Sequence, residues 1–175
     1  MSFLTQAQKD IFWRDGVIVI ENAVSSDQLN TLRSEFARWV EESRSHNDDY
    51  GETFDGRPRF DLQPGHNAET PGLRRVQSPE EISEIFAGVM RSAATVDFCT
   101  ELIGMNIRFH HGKVNSKLPG TATQVKWHQD FPFQPMTNND MITCLLFWMR
   151  SHWKMDRLQF CVAAIAAQYI LIGIM

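Results

Sequence analysis

The chain has 175 residues, 43% hydrophobic and 22% charged, which is enough for one domain with its own core and typical of globular chains. A net charge of −4 argues against a nucleic-acid partner, which calls for a basic face. Its three cysteines, Cys99, Cys144 and Cys161, are far apart and form no CxxC pair; this argues against a disulfide scaffold or a zinc ribbon and fits a reducing, cytoplasmic setting.

"MSFLTQAQKDIFWRDG" has no apolar h-region and does not read as a signal peptide, and the terminal "YILIGIM" is no peroxisomal address. "LTQAQKDIFWRDG" predicts a short amphipathic helix with Leu4, Ile11 and Phe12 on one face and Gly16 as a left-handed cap. "VIVIEN" is a β-branched run of strand type. "SSDQLNTLRSEFARWVEES" predicts a helix opened by a Ser25/Gln28 capping box, with Leu29, Leu32, Phe36 and Val40 at helical spacing. Residues 46–72 are polar and rich in Gly, Pro, Asn and Asp, so they read as one long loop, suited to a lid.

"SPEEISEIFAGVM" predicts a helix with Ser78 as N-cap, Pro79 in the first turn and Glu81 closing a capping box. "AATVDFCTELIG" predicts another, stopped by Gly104. From there strands are expected at "NIRFHHGKVN", "VKWHQDF" and "DMITCLLFW", joined by "SKLPGTATQ" and "PFQPMTNN". Helices first and strands second imply α+β with an antiparallel β unit. From Leu158 to Met175 only Gln159 and Gln168 are plainly polar, and this tail reads as a buried C-terminal helix, marginal in length for a membrane span. No membrane association is therefore expected.

The chemistry concentrates at His128 and Asp130 in "VKWHQDFPF". On a strand, residues two apart share a face, so an imidazole and a carboxylate would stand side by side. That donor pair suits Fe(II), Mn(II) or Zn(II), and two histidines with one carboxylate make the facial triad of non-haem iron oxygenases. The other reading of His128 is a hydrogen-bonded structural histidine. Trp127, Phe131 and Phe133 would wall such a site and keep it dry, or simply pack in the core.

"FHHGKVNSKLPG" followed by "VKWHQDFPFQPMTNNDMITCLLF" resembles the phytanoyl-CoA dioxygenase family, and "LTQAQKDIFWRDGVIVIENAVSSDQLNTLR" resembles its helix–strand–helix opening. The resemblance covers about residues 4–148 and implies helices packed on a double-stranded β-helix, a cupin-like jelly roll. It also implies an Fe(II)- and 2-oxoglutarate-dependent hydroxylase acting on a small-molecule substrate, with ascorbate as a reductant. Carried over residue by residue, it makes His128 and Asp130 the first two iron ligands. It puts Asn115 and His111 near the cosubstrate, and Thr143 and Cys144 in the lining of its pocket. Arg75 matches a basic position that contacts 2-oxoglutarate, a role suited to a guanidinium fork.

The resemblance also implies a distal His and, about ten residues later, an Arg that pairs with the far carboxylate of 2-oxoglutarate. Residues 149–175 bear no likeness to the segment that carries them, and His152 is too near Asp130 to replace the distal ligand. The expectation is a family domain over residues 1–148, incomplete at its C-terminal side, and a divergent apolar tail over 149–175. It follows that this chain itself would hydroxylate little or nothing, or would serve as a non-catalytic interaction or regulatory isoform.

Overall fold

The computed structural model describes residues 2–91, 93–118, 126, 128, 137, 140–148 and 168–173. Along the chain the elements run α1 (Gln6–Asp15), β1 (Val17–Glu21), α2 (Ser26–Ser43), β2 (Tyr50–Glu52), β3 (Pro58–Leu62), β4 (Leu73–Gln77), α3 (Glu84–Met90), α4 (Ala93–Ile103), β5 (Lys113–Asn115), β6 (Ile142–Leu146) and β7 (Gln168–Gly173). They group into two compact units, residues 1–25, 92–108 and 127–175 in the first and residues 26–91 and 109–126 in the second. Helices with an antiparallel sheet make the chain α+β, as expected.

In the first unit a capping box starts α1. The Thr5 hydroxyl accepts from the Gln8 amide at 3.2 Å, and the Gln8 side chain accepts from the Thr5 amide at 2.9 Å. Gly16 ends the helix at φ +74°, its N–H donating to the Phe12 carbonyl at 2.7 Å, in the left-handed region where a Cβ is costly. Leu4 and Phe12 are buried, but Ile11 is exposed, contrary to the expected shared face. Successive helical residues diverge by about 100°, and Phe12 occupies the inward direction. Leu4, Phe12, Ile18 and Ile20 form one core with Phe98 and Leu102, which lie four apart on α4; Ile142, Cys144 and Leu146 of β6 pack against it. Glu101 ties down the first residues: it pairs with Lys9 at 2.8 Å and accepts from the Ser2 hydroxyl at 2.8 Å and from the Phe3 and Leu4 amides.

The apolar tail is not a helix where it is described. Gln168–Gly173 form β7, which lies between β1 and β6 and runs parallel to both, with Val17 opposite Tyr169 and Thr143 opposite Tyr169 on the other side. "QYILIG" is rich in β-branched and aromatic residues, and a continuous apolar run suits a central parallel strand better than an alternating one. This sheet departs from the purely antiparallel β unit expected.

In the second unit α2 buries Leu29, Leu32, Phe36, Trp39 and Ser43; Trp39 takes the inward place expected of Val40. Its indole stacks on Phe86 of α3 at 4.9 Å and meets Phe60 of β3 edge-on at 6.0 Å. The expected long loop contains two strands. β2 and β3 pair as a hairpin through Tyr50–Phe60 and Glu52–Pro58, closed where the Thr53 amide donates to Arg57 and Gly56 turns at φ +78°. Polar, Gly-rich composition concealed a hairpin whose turn needs those residues.

β3, β4 and β5 continue this antiparallel sheet, with Phe60, Val76 and Val114 forming a cross-strand apolar row. Residues 106–112, expected as strand, are irregular, since only Lys113–Asn115 find partners on β4. Ser78 is not the N-cap expected. It sits at φ +44° with its amide donating to Gly112 and its carbonyl accepting from Arg59, so a 3-10 turn (Pro79–Glu81) intervenes and Ser83 caps α3 instead. Arg59 is buried and both its terminal nitrogens are engaged: it donates to the carbonyls of Glu52, Gln77 and Ser78 and pairs with Glu81. Among the described residues no helix is long and apolar enough to cross a membrane.

Candidate functional site

Phe60 faces Val76 and Asp61 faces Arg75, but Leu62 faces Leu73, so Arg74 is an extra residue on β4. In a regular strand Arg74 and Arg75 would point to opposite faces. A bulge re-aims side chains, and here both guanidinium groups reach Asp61. Arg74 grips the carboxylate through Nε at 2.9 Å and through Nη2, while Arg75 donates to it from Nη2 at 2.9 Å. The grip raises the Arg74 pKa, the hydrogen bond to Asp61 being the main cause. Arg74 and Arg75 share the Asp61 carboxylate, and the Asp49 carboxylate also acts on Arg74. Among the described residues Asp61 is the partner of Arg75, and its Nε and Nη1 donors remain available to a ligand.

Asn115 lies directly across β4–β5 from Arg75, and Lys113 lies across from Gln77. Cross-strand partners project to the same side of a sheet. Asp61, Arg75 and Asn115 therefore form a polar row, one step along from the apolar row of Phe60, Val76 and Val114. Arg75 is half-buried, with 31% of its side chain exposed, and Asn115 is exposed. His111 is exposed, two residues before β5, and its Nδ1 lies 2.7 Å from that of His110. The arrangement suits an anion with more than one oxygen, such as a carboxylate, held by a guanidinium and an amide. Two expected cosubstrate residues forty positions apart are thus neighbours, and His111 is close by in sequence.

The remaining expected residues belong to the first unit. Thr143 and Cys144 are half-buried on β6. His128 is exposed, and Asp130 lies outside the described residues, as do Trp127, Phe131 and Phe133. Among the described residues no three His, Cys, Asp or Glu side chains come together as a metal site. By residue type, an imidazole and a carboxylate two apart in sequence are a donor set suited to Fe(II).

Two features escaped the sequence reading. Asp61 is one, because "RFDLQPG" looked like loop; a charged residue alternating with Phe60 and Leu62 was the available signal. The other is the approach of Cys99 on α4 to Cys144, with the sulfurs 3.6 Å apart. Their spacing of 45 residues carried no hint of it.

Residues 12–150 match the phytanoyl-CoA dioxygenase (PhyH) family. A stretch of 82 residues is 42% identical to a probable alpha-ketoglutarate-dependent hypophosphite dioxygenase of Stutzerimonas stutzeri, covering 46% of this chain and 28% of that protein. The ectoine dioxygenase of Streptomyces anulatus is 24% identical over 127 residues, 71% of this chain and 38% of the relative. That of Stutzerimonas stutzeri strain A1501 is 27% identical over 120 residues, 69% and 35%. The chain therefore matches well under half the length of these relatives. The match to the family extends from the end of α1 to beyond β6, and the chain belongs to the phytanoyl-CoA dioxygenase family.

Proposed function

We propose that this chain carries the cosubstrate- and iron-binding part of an Fe(II)- and 2-oxoglutarate-dependent dioxygenase acting on a small molecule, built on a double-stranded β-helix. The observation that carries the reading is the Asp61–Arg75–Asn115 row. Arg75 holds its guanidinium in place with one nitrogen on Asp61 and offers the others to a carboxylate of 2-oxoglutarate. Asp61 orients that guanidinium, and Arg74 shares its carboxylate. Asn115 adds an amide that can donate to one ligand oxygen and accept from a ligand hydroxyl or water.

His128 and Asp130 would hold the metal, His128 through a neutral imidazole nitrogen and Asp130 through a carboxylate oxygen. Held there, Fe(II) would supply the oxygen chemistry that turns 2-oxoglutarate into succinate and CO₂, with ascorbate as the reductant. The chain's own residues bind, orient and exclude water. The named relatives support the reaction class, since they depend on alpha-ketoglutarate or act as ectoine dioxygenases. They differ among themselves in the molecule oxidised, and the proposal stops at a small-molecule substrate.

Binding is the primary test. Fe(II) is titrated under argon into the parent chain and into His128→Ala and Asp130→Ala variants, followed by calorimetry. Each variant is expected to bind at least tenfold more weakly, since removal of a ligand or its orienting partner typically costs that much. CO₂ release from carboxyl-labelled 2-oxoglutarate is followed in parallel. A parent chain whose iron affinity does not depend on His128 overturns the proposal.

A further inference from the structure

The core of the first unit contains a thiol pair, Cys99 with Cys144, and the dioxygenase reading gives Cys99 no role. Cys99 projects from α4 and Cys144 from β6, both half-buried against Phe12, Ile18 and their neighbours. Their sulfurs are 3.6 Å apart and in hydrogen-bond contact. A disulfide needs about 2.05 Å, so closure takes an approach of about 1.5 Å, within what a side-chain rotation on each partner supplies. We propose that Cys99 and Cys144 form a reversible redox site, which a peroxide converts to a disulfide pinning α4 to β6.

The step balances as two thiols and one hydrogen peroxide giving one disulfide and two waters. Cys99 attacks a peroxide oxygen as the thiolate, breaking the O–O bond, and becomes a sulfenic acid while hydroxide takes a proton to leave as water. Cys144 then attacks the Cys99 sulfur and expels the second oxygen as water, its own proton going with it. Roles follow from the hydrogen bond between the sulfurs. The hydrogen bond between the sulfurs holds the Cys99 pKa below that of an ordinary thiol, whereas that same bond, followed by burial, pushes the Cys144 pKa upward. Cys99 is thus the attacking sulfur and Cys144 the resolving one. The redox step itself consumes only the two thiols and a peroxide, with no part for iron or 2-oxoglutarate.

The sequence makes the test clean. Trypsin places Cys99 on residues 92–108, Cys144 on residues 127–150 and Cys161 on residues 158–175, three separate peptides. The folded, metal-free full chain is treated with hydrogen peroxide, free thiols are blocked, and the digest is mapped by mass spectrometry without reduction. The expected result is loss of two of the three thiols, a cross-linked 92–108/127–150 species two hydrogens lighter, and full recovery with dithiothreitol. In Cys144→Ser, Cys99 is expected to give a sulfenic acid that dimedone traps. Separate over-oxidation of the two sulfurs, or disulfides that form only with Cys161, overturns the proposal. The parent chain alone suffices for this, whatever the fate of the variant.

Discussion

Arg75→Met removes a guanidinium from the centre of the polar row and keeps an apolar stem of similar length. The structure separates its effect on stability from its effect on binding. Asp61 keeps the Nε and Nη2 bonds from Arg74, so no carboxylate is orphaned. What folding loses is one partly exposed ion pair, at most about 1 kcal/mol. Binding loses a charge-assisted contact to a carboxylate, about 1.5–3 kcal/mol. With 31% of the side chain exposed, water competes, and the lower half of that range applies. The expected result is a rise of about 10- to 40-fold in the Kd for 2-oxoglutarate. Arg75→Lys keeps the charge but not the fork and falls between. Calorimetric titration with 2-oxoglutarate and Fe(II) under argon, beside urea unfolding of each variant, measures both quantities. An unchanged Kd in a stably folded Arg75→Met refutes the assignment, as does a parent chain that does not bind 2-oxoglutarate.

Three further outcomes follow from the packing. Trp39→Ala removes the ring that stacks on Phe86 and is expected to cost about 3–5 kcal/mol, read as a lower urea midpoint at unchanged slope. Trp39→Phe is expected to cost far less, about 1.5 kcal/mol or under, because among the described residues the buried indole N–H has no partner to lose. The Lys9 ammonium, followed by the Phe3 amide, draws the Glu101 pKa from 4.5 down to about 2. A depressed carboxylate pKa stabilises the fold above pH 4.5, and that stabilisation is lost as pH falls towards 2. Glu101→Gln should therefore flatten the acid limb of the stability profile between those values and leave its slope above pH 5 unchanged. Ending the chain at residue 167 removes β7 from between β1 and β6, and hydrogen exchange at the amides of Val17–Glu21 is expected to accelerate; unchanged exchange there would contradict the parallel pairing.

The features legible in the sequence are those whose causes lie within a turn or two of chain. Gly16 past its helix, the Leu29–Leu32–Phe36 stripe of α2, Gly104 and the strand at Ile142–Leu146 were all readable, because glycine φ and side-chain period act locally. Arg75 and Asn115 were candidates from the sequence, and tertiary structure sets them opposite each other across β4–β5. Tertiary structure decided what depends on partners tens of residues away. The apolar tail became a strand because β1 and β6 offered it two open edges; its composition alone fits helix or strand. The polar stretch at residues 46–72 became a hairpin because β4 continued the sheet beside it. One extra residue, Arg74, turned two neighbouring arginines to a single aspartate, and α4 against β6 brought Cys99 to Cys144. Register, bulges and helix-to-sheet packing are long-range choices, made by the burial and hydrogen bonding of the whole, and no local window of residues contains them.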